Sequence, residues 1–115
     1  MNARDEHGYT PLHMAAYLGT PVKIEILLSA GANLKARSQS AETPLHQAAA
    51  SHNTGNIGVL LQAGASAKAR DTDNNTPLHS AAQSSVAPSD NIRVLIQAGA
   101  DVYARNRAGQ TALHI

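Results

Sequence analysis

The 115-residue sequence has no cysteine, no tryptophan and no phenylalanine, and only three tyrosines. Without cysteine there are no disulfides, no thiol nucleophile and no thiolate metal site. Hydrophobic residues still make up 43% of the chain, so the core is expected to be aliphatic, built from Leu, Ile, Val and many alanines in thin layers. Charge is scarce as well. Nine Lys and Arg against eight Asp and Glu leave a net +1, and such a balance offers no strong field to nucleic acid or to an anionic membrane. No apolar run approaches the roughly 18 residues of a membrane span, and the N-terminus lacks the apolar heart of a signal peptide. Neither nucleic acid nor membrane is expected as a partner. The missing cysteines leave the compartment open, with an intracellular, cytoplasmic setting as the expectation.

What the sequence does have is repetition. Thr43-Pro44-Leu45-His46-Gln47-Ala48-Ala49 is preceded 33 residues earlier by Thr10-Pro11-Leu12-His13-Met14-Ala15-Ala16 and followed 33 later by Thr76-Pro77-Leu78-His79-Ser80-Ala81-Ala82. A fourth copy, Thr111-Ala112-Leu113-His114, comes 35 residues after that. Ala30-Gly31-Ala32, Ala63-Gly64-Ala65 and Ala98-Gly99-Ala100 keep the same beat.

The motif has a direct physical reading. Thr10, Thr43 and Thr76 stand where a helix starts, and a threonine hydroxyl accepts from an orphan backbone N–H. Proline follows at the first helical position, where its missing donor costs nothing. Leu12, Ala15 and Ala16 then fall at i, i+3 and i+4 on one apolar face, and the small alanines allow close helix packing. Ile24, Leu27 and Leu28 repeat that spacing on a second helix. Gly31, Gly64 and Gly99 stand where a helix closes in left-handed geometry.

Period and motif together resemble the ankyrin repeat, with its 33-residue period and T-P-L-H-x-A pattern. The resemblance covers essentially the whole chain. It implies one all-α domain over residues 1–115, a solenoid of stacked helix-turn-helix units with projecting β-turn fingers. The repeats are expected at about 5–37, 38–70 and 71–105, with a partial fourth at 106–115. Helices are expected near 11–18, 22–29, 44–51, 56–62, 77–84, 90–97 and 112–115.

Some positions depart from the pattern. Ala41 holds the finger position of Gly8 and Gly109, with Asn74 in the third repeat; a left-handed Ala41 would cost about 1–2 kcal/mol. Gly55 and Gly58 make the fourth helix the softest expected, since an interior glycine costs about 1 kcal/mol relative to alanine. The third repeat carries two extra residues, absorbed by the loop Ser84–Asp90. Ser89 or Asp90 is expected to cap the helix that follows.

Several residues invite a chemical reading. His13, His46, His79 and His114 form a regular series, but stacked helices lie about 8–10 Å apart while zinc needs nitrogens at about 2.0–2.1 Å. No metal site and no cofactor are expected. The resemblance instead implies structural hydrogen bonds near the turns for these histidines. His79 and Ser80 near Asp71 and Asp73 suggest a triad, yet adjacent helical residues point apart and no nucleophile has a base of its own. The chain is not expected to be an enzyme. Arg4, Arg37, Arg70 and Arg105 are equivalent by period, as are Lys35 and Lys68. They form either a basic ladder suited to an acidic peptide or, as the favoured expectation, a solvated polar position partly neutralised by Asp5 and Asp71.

By resemblance, the function is a non-enzymatic protein–protein interaction module, or scaffold, that binds a protein or peptide through its concave surface of turns and first helices. The alternatives are the ankyrin segment of a larger enzyme or effector, and a self-associating or engineered scaffold. The family's variable positions fall here on Glu6, His7, Tyr9, Tyr17 and Leu18, on Gln39, Ser40, Glu42, Ala50 and Ser51, on Thr72, Asp73, Asn75, Gln83 and Ser84, and on Arg107 and Gln110. Tyr9 and Tyr17 are the strongest candidates, because tyrosine is enriched among interface hot spots. Met14, Leu18 and Val22 at one end, and Ala112, Leu113 and Ile115 at the other, are expected to give end-to-end self-association or fraying of 106–115.

Overall fold

Each Thr-Pro-Leu-His segment opens a helix in the computed structural model, which describes residues 2–114. Six α-helices follow in order: α1 (Pro11–Leu18), α2 (Pro21–Ser29), α3 (Pro44–Ala49), α4 (Gly55–Gln62), α5 (Pro77–Gln83) and α6 (Ser89–Gln97). A 3-10 turn at Ala112–His114 takes the place of the helix expected at 112–115, whose last residue, Ile115, lies outside the described residues. No strand occurs among the described residues. The helices form two parallel rows. The first helices stack α1 on α3 on α5 and the second helices stack α2 on α4 on α6, giving an elongated body of 37 × 26 × 23 Å. This is the all-α solenoid that the repeat implies.

The core lies between the rows and is aliphatic: Leu12, Leu45 and Leu78 from the first helices, Ile24, Ile57, Leu60 and Leu95 from the second, and Ala16, Ala48, Ala49 and Ala81 as spacers. Gly31, Gly64 and Gly99 close the second helices with φ of 98°, 105° and 97°, as a left-handed C-terminal residue requires. Gly55 falls at the first helical position of α4, which leaves Gly58 as its interior glycine.

Local polar bonds set each helix start. The backbone N–H of Thr10, Thr43 and Thr76 donates to Nδ1 of His13, His46 and His79, each at 3.1 Å. A backbone N–H has no lone pair to offer, so Nδ1 is the acceptor and the proton sits on Nε2. That Nε2 reaches into the following repeat and donates to the carbonyls of Glu42, Asn75 and Gln110 at 2.7, 2.9 and 2.8 Å. One ring therefore caps its own helix and anchors the next finger.

The fingers repeat one plan. The first residue of each, Asp5, Ser38, Asp71 or Asn106, accepts backbone N–H bonds from within its own turn. The residue closing the turn is left-handed in all four: Gly8, Ala41, Asn74 and Gly109, with φ of 80°, 61°, 62° and 78°. Ala41 thus takes the strained alternative, at about 1–2 kcal/mol. Glycine is needed at Gly8 for space too, since a Cβ there would meet the Gln39 nitrogen at 2.8 Å. Successive fingers touch through single backbone bonds, Gln39 to His7, Thr72 to Ser40 and Arg107 to Asp73.

The arginine series is bonded as well as solvated: Arg4, Arg37 and Arg105 are exposed and Arg70 half-buried, as the favoured expectation has it, but the partners are backbone carbonyls and not Asp5 or Asp71. Nη1 of Arg4, Arg37 and Arg70 donates to a carbonyl of its own finger, at Gly8, Ala41 and Asn74, and to the carbonyl of the next arginine along, Arg37, Arg70 and Arg105. Asp5 and Asp71 are bonded to their own turn amides, and no ion pair joins them to these arginines among the described residues. The cap of α6 also differs from expectation. Pro88 holds the N-cap position and Ser89 the first helical one, while Asp90 pairs with Arg93 at 3.0 Å.

Two buried asparagines close the first-helix row. Asn56 Nδ2 donates to the carbonyls of Ala16 and Gly19, and Asn91 Nδ2 to those of Ala49 and Ser51. The Oδ1 of Asn91 accepts from the Thr54 hydroxyl at 2.6 Å. Pro21 is the period equivalent of Thr54, offers no hydroxyl, and leaves the buried Asn56 Oδ1 unbonded. A buried acceptor without a donor costs about 1–3 kcal/mol. Asn91→Ala should therefore destabilise the chain by about 1–2 kcal/mol more than Asn56→Ala in urea unfolding. Equal losses, or the reverse order, would show that the orphan oxygen carries no penalty.

Candidate partner-binding surface

The fingers and the first-helix row line one side of the solenoid, and two clefts open there. The first, of about 270 Å³, is lined by Tyr9, His13, Met14, Tyr17, Leu18 and Gln47. The second, of about 360 Å³, is lined by Tyr17, Glu42, His46, Gln47, Ala50, Asp71, Ser80, Gln83, Ser84 and Ser85. Tyr17 and Gln47 belong to both, so the clefts run into one another across the first three repeats.

These clefts sort the residues singled out from the sequence. Tyr9, Tyr17 and Leu18 come together in the first, with Leu18 74% exposed and Tyr17 37%. Glu42, Gln83, Ser84 and Ala50 join Tyr17 in the second. Glu6, His7, Gln39, Ser40, Thr72, Asp73, Arg107 and Gln110 are exposed on the fingers and line neither cleft. Arg107 Nη2 donates to the Thr72 carbonyl at 2.7 Å, so that side chain braces two fingers.

Two of the expected surface residues face inward. Ser51 is 1% exposed; its carbonyl accepts from Asn91 and its hydroxyl oxygen from the Asn53 amide. Asn75 is buried, with Oδ1 accepting from Asn106 Nδ2 at 3.0 Å and from Gln83 Nε2 at 3.4 Å. Ser84 is half turned in: its hydroxyl donates to the Ala50 carbonyl at 2.8 Å and accepts from Val86 and Ala87, which folds the lengthened loop onto α3. Sequence reasoning missed Met14, Gln47, Ser80 and Asp71 as cleft residues. Met14, Gln47 and Ser80 occupy the one variable slot inside T-P-L-H-x-A, and that variability was the available signal.

The Tyr9 hydroxyl donates to Glu42 Oε1 at 2.7 Å, and this bond, with burial, pushes its pKa up to about 12. Asp5 is held below the usual carboxylate range chiefly by the backbone bond from Tyr9. Ser80 Oγ lies 3.5 Å from the Thr76 carbonyl, while both ring nitrogens of His79 are bonded to Thr76 and Gln110. Across the described residues no group of three or more His, Asp or Glu is placed to hold a metal ion.

A stack of helix pairs with projecting fingers and a continuous grooved face defines a helical-repeat interaction solenoid. The family model for ankyrin repeats, three copies, matches residues 1–71 and again 45–115. The chain belongs to the ankyrin-repeat family, whose repeats generally serve as non-enzymatic modules that bind other proteins. A 36-residue stretch is also 50% identical to the E3 ubiquitin-protein ligase XB3 of Oryza sativa subsp. japonica; it covers 31% of this chain and 8% of that protein.

Burial dominates the titration of the histidines beside the clefts. It lowers the pKa of His13 and His46 below the ordinary value of 6.5, against the smaller opposite pull of the backbone carbonyls they serve. An unfolded histidine takes up its proton near that ordinary value, so below it the unfolded chain binds more protons than the folded one. Stability is then complete above about pH 6.5 and declines as the pH falls below it, by at most about 1.4 kcal/mol per pH unit for each ring. Thermal melting at pH 7.5 and pH 5.5 should show the lower midpoint at pH 5.5. An unchanged or higher midpoint would contradict neutral, buried rings.

Proposed function

We propose that this chain is a non-enzymatic interaction module that binds a protein partner through the two joined clefts, with the contact centred on the first repeat. The observation that carries the reading is the meeting of Tyr9, Tyr17 and Leu18 with Met14 in one open cleft. Rigid aromatic side chains bury much area at small entropic cost, and the fingers on either side are already fixed by hydrogen bonds. Preorganisation of this kind lowers the ordering cost of binding.

Affinity capture with the intact chain as bait supplies the partner for the test. Tyr17→Ala should weaken binding by about 1–2 kcal/mol, the hot-spot range. Tyr9→Phe keeps the ring and loses the bond to Glu42, so it should bind better than Tyr9→Ala. Exposed second-helix changes, Glu25→Ala and Gln62→Ala, should leave affinity intact. Loss of binding in those controls with normal binding by the tyrosine variants would overturn the assignment of the face.

A second reading is that the chain acts as the ankyrin segment of a larger enzyme, and the short likeness to a ubiquitin-protein ligase supports it. A native polypeptide no longer than the given sequence would count against it.

Self-association through the ends is proposed on separate grounds. Leu113 is 77% exposed, whereas its equivalents Leu12, Leu45 and Leu78 are fully covered, and Leu18, Val22 and Ile26 are bare at the opposite end. Sedimentation between micromolar and millimolar concentration should show the mass rising, or hydrogen exchange should show residues 106–114 opening first. A strictly monomeric species with a fully protected final segment would contradict both.

A further inference from the structure

The two joined clefts differ in chemistry, and the difference describes a ligand. The first is mainly apolar, with Met14, Tyr17 and Leu18 on its walls. The second carries two carboxylates, Glu42 and Asp71, and no lysine or arginine lines either cleft. Both carboxylates are already oriented. Glu42 Oε1 accepts from Tyr9, and Asp71 Oδ1 accepts from the amides of Asp73 and Asn75. The cations of this region face elsewhere, because Arg37 and Arg70 are spent on carbonyls at the base of the fingers.

We propose that the partner presents an extended segment that sets an apolar side chain against Met14, Tyr17 and Leu18 and a lysine or arginine between Glu42 and Asp71. This deepens the interaction reading and rests on it. Spacing follows from the repeat. The clefts lie one repeat apart, about 8–10 Å for packed helices, and an extended chain advances about 3.3 Å per residue. The cation therefore stands about three residues from the apolar anchor. Charge complementarity selects this ligand over an acidic one, since an acidic segment would bring like charges together in a half-buried cleft.

The substitutions that test it are ones the chain itself uses. Asn106 performs the turn-capping role of Asp71, and Gln110 holds the position of Glu42, with its carbonyl accepting from a histidine in the same way. The double variant Glu42→Gln with Asp71→Asn should therefore fold, which its melting curve verifies. A phage-displayed library of random dodecapeptides is selected on the immobilised chain. Enriched sequences should place Lys or Arg about three residues from Leu, Met or an aromatic residue. Their affinity should fall about tenfold on the double variant and fall again as salt is raised. Sequences with no basic preference that are still lost on Tyr17→Ala would overturn the ligand assignment and leave the interaction surface standing. Failure to enrich any sequence, or binding indifferent to both Tyr17→Ala and Leu18→Asp, would overturn the surface itself.

Discussion

Each junction between repeats depends on one imidazole. Nδ1 accepts the threonine N–H at the start of its own helix, and Nε2 donates to a carbonyl of the next finger. A single buried ring thus ties the start of one helix to the position of the following turn. In a quasi-one-dimensional stack, where a repeat touches only its neighbours, such junction contacts decide whether the repeats behave as one body. Thin aliphatic layers without Phe or Trp bury less area per repeat, which raises the share that falls to these polar bonds.

Arginine and asparagine add to the same coupling at other heights. The arginines clamp finger to finger at the base. Asn56 and Asn91 reach from the second-helix row to the carbonyl ends of the first helices. The outcome for function is a face whose fingers and helices are fixed before any partner arrives. Tyr17 and Gln47, standing at the seam of the two clefts, are presented on helices α1 and α3 that neighbouring repeats already hold.

The helices, the left-handed glycines and the stacking were legible because the 33-residue period marks them directly. Other features were not, for reasons that are physical. Arg37 looks like a solvated charge in sequence, and its partners are backbone carbonyls, which no side-chain pattern reveals. Ser51 and Asn75 fall at variable positions yet turn inward, where the Ser51 hydroxyl oxygen accepts from the Asn53 amide and Asn75 Oδ1 accepts from Asn106 of the following repeat. Ser89 and Asp90 had the composition of a cap, but α6 keeps the register of α2 relative to its closing glycine, which puts Pro88 at the N-cap position that Thr20 holds for α2. The sequence points to Met14 only as an uncovered end residue and to Gln47 only as a variable slot, although α1 and α3 carry them to the cleft wall.

The histidine junction can be observed directly. Long-range ¹⁵N–¹H correlation spectra at neutral pH report which imidazole nitrogen carries the proton. His13 and His46 should appear as neutral rings protonated at Nε2, with Nδ1 at the shift of an unprotonated acceptor. A ring protonated at Nδ1, or an imidazolium signal for either residue, would mean that the threonine N–H is not bonded as described and that the repeats are coupled in some other way.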